Sequence, residues 1–368
     1  MRNLVTVLVC IIGLTTSLSG QAPSGIHEPK VDERVELMSI VFRLAECQEY
    51  MSTRYSDYTT AIETHFAPYR NHEVIRYVKK VLRPRGIGYD AVMFMAISIT
   101  PPPNMRPIQP FSSDFPESRW GKRKATRFLS LLNDFYAEAR CEEFFTANKE
   151  RYKHASLRFD SVYNALDVSW YTSFYNEKPT SEFKIINALG NGGGNYGPSL
   201  VLDSSEVLYA IMGTWSVDEE GQPMYATNEY LPTLIHEFNH SFINHLVEQY
   251  EKDLSKSGEI IFSHVEEKMR KQAYGTWQVM MAEALVRASV IKYLIDHSYA
   301  SDFIDSEMAD EVEKGFVWTP DLVNLLMQYD ANRSTYPTFE PFMPEVVAFF
   351  EVVKDSIDAR VNKVETQD

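Results

Sequence analysis

The sequence predicts an α+β chain, predominantly helical, with a small sheet placed late in it. Three observations carry this. Apolar residues recur at helical spacing over long tracts before residue 160 and again after residue 228. Two short β-prone runs, residues 183–189 and 207–212, lie between those tracts. The chain is 44% hydrophobic and 13% aromatic, which supports a substantial core and argues against wholesale disorder.

Residues 1–20 are expected to form a signal peptide. Arg2 supplies the basic start, residues 4–14 an apolar core, and Ser17-Leu18-Ser19 a cleavage site that makes Gln21 a plausible mature start. The apolar run falls short of the roughly 20 residues that span a bilayer. The expected protein is therefore exported, periplasmic or secreted, with no transmembrane segment after cleavage. Cys10 lies inside the apolar core, not after it, which argues against a lipid anchor.

Residues 21–160 are expected to be a helical N-terminal region. Helical spacing covers residues 31–82, as in Val35, Leu37, Met38, Val41, Phe42 and Leu44. Arg83-Pro84-Arg85-Gly86 breaks it, residues 89–99 resume it, and Pro101-Pro102-Pro103 forces an extended stretch. A further helical run covers residues 119–153, whose Phe128, Phe135, Tyr136, Phe144 and Phe145 read as core. Residues 161–368 are expected to be the metal-binding region. Between its two β-prone runs, residues 190–198 form a glycine-rich turn without the Gly-Lys-Ser/Thr of a phosphate loop. Helices are then expected over 228–253, stopped by Ser255 to Gly258, and over 260–270, 275–296 and 344–364.

The net charge is −15, and one unit more negative once Arg2 leaves with the signal peptide. Such a surface repels phosphate backbones, so nucleic acid is not an expected partner. Of the three cysteines, Cys47 and Cys141 remain in the mature chain, either as a disulfide or as two buried thiols. Two isolated cysteines do not make a Cys-rich zinc site.

The chemistry concentrates in His236-Glu237-Phe238-Asn239-His240. At about 100° per residue, His236 and His240 share one face of a helix, one turn apart, where both imidazoles can hold one cation. Zinc suits neutral imidazole nitrogens and, in catalytic sites, takes three protein ligands and keeps an open position. Glu237 stands beside the first ligand, where it can serve as general base. The third ligand is expected to be Glu283, a lone carboxylate among Met280, Met281, Ala284 and Leu285 whose burial is costly without a partner. Arg287, four residues on, can pair with it or orient it. Glu248, Glu259, Glu266 and His264 are the other candidates. His245 lies about half a turn of azimuth from His236 and reads as surface.

His236-Glu-x-x-His240 with a glutamate 43 positions later resembles the gluzincins, the thermolysin-like zincin metallopeptidases. More closely, residues 35–44, 86–96, 191–198, 236–242 and 272–288 resemble an uncharacterised family of exported bacterial zincin-like proteins. The resemblance implies a zincin-like fold, with a small antiparallel-edged sheet beside the active-site helix. It implies one zinc ion on His236, His240 and Glu283, Glu237 as catalytic base, and a peptide or protein substrate. It also implies an edge strand for the substrate, here residues 207–213, and a cleft bordered by Asn195 and Tyr196. Tyr274 and Tyr196 are the candidates for oxyanion stabilisation. Thermolysin-like patterns carry an acid four places after the glutamate ligand, where this chain has Arg287. The alternative is a non-catalytic exported binding or scaffold protein with a retained zinc site.

Overall fold

The computed structural model describes residues 26–176, 181–202 and 205–365. The expected signal peptide lies outside them. The described chain opens with β1 (Ile26–Lys30) and α1 (Glu33–Leu44), the latter capped by Asp32, whose carboxylate accepts the Arg34 backbone N–H. The N-terminal region, expected to be helical, thus contributes a strand. Helices α2 (Ser56–Phe66), α3 (Glu73–Tyr77), α4 (Asp90–Ile97), α5 (Gly121–Glu138) and α6 (Cys141–Arg158) follow. The single run expected over 119–153 is two helices, because Arg140 takes a left-handed φ of 53° between them.

Short helices α7 (Asp160–Ala165) and α8 (Ser169–Tyr175) lead to β2 (Ser181–Ala188), β3 (Ser199–Leu202) and β4 (Ser205–Gly213). The rest is helical: α9 (Thr227–Gln249), α10 (Glu251–Lys271), α11 (Trp277–Asp296), α12 (Ser301–Glu313), α13 (Thr319–Ala331) and α14 (Met343–Glu365). The stop expected at residues 255–258 does not occur, and α10 runs through Gly258. A Cβ there would stand 2.3 Å from Cε3 of Trp277, so the glycine lets α10 and α11 close on each other.

The four strands lie in the order β1-β2-β4-β3, giving a small mixed sheet in a predominantly helical α+β fold. β1 and β4 flank β2 in parallel, and β3 runs antiparallel to β4. The expectation of an edge strand at residues 207–213 is corrected: β4 is interior. The edge beside it belongs to β3 and the segment before it, where Tyr196 and Ile211 exchange backbone hydrogen bonds of 3.0 and 2.9 Å. The physical reason is that β4 is apolar on both faces. Val207, Tyr209 and Ile211 pack on the α1–α6 layer, whereas Leu208, Ala210 and Met212 pack on the later helices. A strand buried on both faces belongs inside a sheet.

Cys47 and Cys141 are buried free thiols, each pushed up by burial, Cys47 to about 12. Among the described residues no helix is long and apolar enough to cross a membrane.

Candidate metal centre

Helix α9 buries Leu231, Leu234, Ile235, Phe238 and Phe242 in the core it shares with β2, β4 and α11. Phe238 meets Phe183 of β2 with ring centroids 4.9 Å apart. This fixes the roll of the helix and leaves His236 and His240 at the wall of a cleft. Asn239, fully buried between them, fixes its position along the axis. Its Oδ1 accepts from the Tyr175 hydroxyl at 2.6 Å, and Ser289 Oγ of α11 lies 3.2 Å from the same hydroxyl. Helices α8, α9 and α11 are tied together at this point, which sets the distance from the histidines to Glu283.

The Nε2 atoms of His236 and His240 lie 3.1 Å apart. Oε2 of Glu283 is 3.5 Å from the first, and Oε1 is 3.5 Å from the second. Two donors about 2.1 Å from one tetrahedral zinc ion stand about 3.4 Å from each other. His236, His240 and Glu283 form the metal-capable group found among the described residues. Two imidazole nitrogens and a carboxylate aimed at one point form a donor set that suits zinc.

Two of the three donors, His240 and Glu283, are oriented by further residues. With its proton on Nδ1, His240 donates to Asn244 Oδ1 at 3.2 Å and keeps the Nε2 lone pair for the shared point. The Tyr274 hydroxyl donates to Glu283 Oε2 at 2.9 Å and accepts from Arg287 at 2.7 Å. Arg287 also reaches Glu283 Oε2 at 3.2 Å and Glu311 of α12 at 2.6 Å, and Lys314 holds the other oxygen of Glu311 at 2.9 Å. The place of an acid four residues after the ligand is thus taken by a cation fixed to a second carboxylate. Burial, then the neighbouring His240, Arg287 and Lys314, hold His236 well below the usual imidazole range and so neutral. Burial and then Glu283 push the Glu237 carboxyl up, opposed by Arg287.

Glu237 is 6% exposed and lines the cleft. The edge segment passes close beside it: a Cβ on Gly197 would stand 2.2 Å from the Glu237 carbonyl oxygen, so only glycine fits there. The cleft, about 1650 Å³, runs from Glu49 and Tyr89 in the N-terminal layer past the three donors to Glu307 on α12.

Asn195, Tyr196 and Tyr274, expected at the substrate, all line this cleft. Their hydrogen bonds separate them. Asn195 is spent on its own loop, accepting the Gly213 N–H at 2.8 Å and donating to the Gly193 carbonyl at 3.3 Å. Tyr274 is committed to Glu283, whereas Tyr196 is paired through its backbone alone among the described residues. His245 is exposed on an α9 that continues past it, Glu266 pairs with Arg270, and His264 pairs with Asp358. Sequence reasoning missed Asn244, Asn239 and Glu311. The i, i+4 spacing from His240 was a usable signal for Asn244.

A family described as a domain of unknown function (DUF4932) matches residues 118–349, which include His236, Glu237, His240 and Glu283. No curated protein and no solved structure matches the chain.

Proposed function

We propose that this chain, which belongs to the DUF4932 family, is an exported zinc-dependent hydrolase, a metallopeptidase of the gluzincin type. The observation that carries the reading is the convergence of His236, His240 and Glu283 on one point, with Glu237 beside it, in the wall of a large cleft. A structural zinc site closes its fourth position with a protein ligand, and among the described residues no fourth such side chain joins the three.

When bound, zinc supplies a Lewis acid that polarises a carbonyl and lowers the pKa of water. Glu237 takes a proton from the attacking water as the C–O bond forms, then delivers it to the amine nitrogen as the C–N bond breaks. The Tyr196 hydroxyl is kept protonated by burial and by nearby Glu49, Asp90 and Glu237, and it is the donor assigned to the developing oxyanion. Tyr274 and Arg287 hold the Glu283 carboxylate in place. Peptide is the favoured substrate because of the edge segment. Tyr196 spends its N–H and C=O on Ile211, so in the alternation of an antiparallel ladder those of Gly197 point away from β4, where an extended chain can pair with them.

Elemental analysis after zinc loading should give about one ion per chain, the stoichiometry of a single three-ligand site. Glu237→Gln should retain it while turnover of a peptide library falls about 10²–10⁴-fold, and a chelator should abolish wild-type turnover. His236→Ala should lose the metal. Full activity in Glu237→Gln would remove the assignment of the base. A zinc-loaded wild type that cleaves no peptide would remove the peptidase reading.

A further inference from the structure

The residue just before α4 is in an unusual state. Tyr89 has φ 51° and ψ −127°, a backbone region suited to glycine and costly for any residue with a Cβ. Gly86 and Gly88 stand in the same turn, so glycine would have served the backbone equally well here. The side chain does not repay the strain by burying itself. The residue is 47% exposed, and no hydrogen bond among the described residues reaches its hydroxyl. The ring lines the cleft that holds the candidate metal centre.

The surroundings indicate what would cover it. Tyr196, Met51 and Phe94 line the same cleft, and Tyr196 lies near both Tyr89 and Glu237. Two acids that line the cleft, Glu49 and Asp90, are each paired with an arginine. Arg83 holds Glu49 at 2.5 Å, directly against Gly88, and Arg119 holds Asp90 at 2.5 Å. Glu49 and Asp90 are thus held by cations, and the aromatic and apolar side chains beside them suit a neutral side chain better than a cationic or anionic one.

We infer that Tyr89, with Tyr196, Met51 and Phe94, forms a subsite for one aromatic or large aliphatic side chain of a peptide, next to the metal centre. Covering the exposed ring with such a side chain would offset the strain of the turn. The inference takes its substrate class from the peptidase reading above, and the experiment separates the two.

Binding is measured by calorimetry on the full zinc-loaded chain carrying Glu237→Gln, so that turnover does not intervene. The probes are blocked Ala/Ser hexapeptides with one phenylalanine walked through the six positions, alongside the parent without it. At one position or more, phenylalanine should tighten binding at least tenfold over the parent. Adding Tyr89→Gly should reduce that advantage to within twofold and raise the melting temperature, because glycine accepts the backbone angles. Tyr89→Phe should retain the advantage. A phenylalanine preference that survives Tyr89→Gly overturns the subsite, as does no preference at any position or a lower melting temperature in Tyr89→Gly. If the preference depends on Tyr89 while the unmutated chain cleaves none of these peptides, the subsite stands and the peptidase reading falls. If cleavage occurs with no dependence on Tyr89, the reverse holds.

Discussion

Asn244 illustrates what one residue does at this centre. It sits one turn past His240 and accepts the Nδ1 proton, which fixes both the tautomer and the angle of the ring. Asn244 is exposed, so its loss should barely affect the fold. Asn244→Ala is expected to weaken zinc binding about 10–100-fold with the melting temperature of the metal-free protein unchanged, read by competition with a chromophoric chelator. Unchanged affinity would show that His240 is oriented by other contacts. The three converging donors were legible in the sequence for two different reasons. His236 and His240 follow from helical geometry, and Glu283 from the cost of leaving a carboxylate alone in an apolar helix. Glu311 was not legible, because it reaches Arg287 from a helix 24 residues on and nothing local marks it.

At the scale of elements, α1 is tied to the glycine-rich turn by one carboxylate. Glu36, fully buried, accepts the Leu189 and Gly190 N–H groups at 2.7 and 3.2 Å and the Tyr58 hydroxyl at 2.7 Å. Burial pushes it up to about 7, with Asp32 adding to the shift and the three hydrogen bonds opposing it. The unfolded value is about 4.3, so between the two the folded chain holds a proton that the unfolded chain lacks. The contribution is therefore fully present below about pH 4.3 and is lost as pH rises through 7, a change of about 3–4 kcal/mol. Unfolding free energies from urea titrations between pH 4 and 8 should show the wild type losing about that much relative to Glu36→Gln as pH rises. Parallel pH profiles would remove the assignment. The helices were legible from their period, but strand order was not. An apolar run tells that both faces are covered, not which strands lie on either side.

Over the whole molecule, the sheet is the shared middle of two apolar clusters. Ile186, Ala188 and Ile211 complete the cluster built on α1–α6, and Phe183, Ile185 and Met212 complete the other. Neither cluster can lose the sheet without exposing its own apolar surface. Calorimetry should therefore record one unfolding transition with van't Hoff and calorimetric enthalpies in agreement, despite the length of the chain. Two resolved transitions would show that the clusters melt independently.

The position of β1 has a practical corollary for the amino end. Ile26 and His27 lie alongside Phe183 and Lys184, and Lys30 alongside Ile186, so five residues guard the outer rim of β2. Trimming through Lys30 would strip that guard and leave a row of unsatisfied amides, a template on which a second molecule could stitch its own strand. The far rim, beside the histidines, would be untouched. Such a shortened protein would clump with its candidate metal centre still in place.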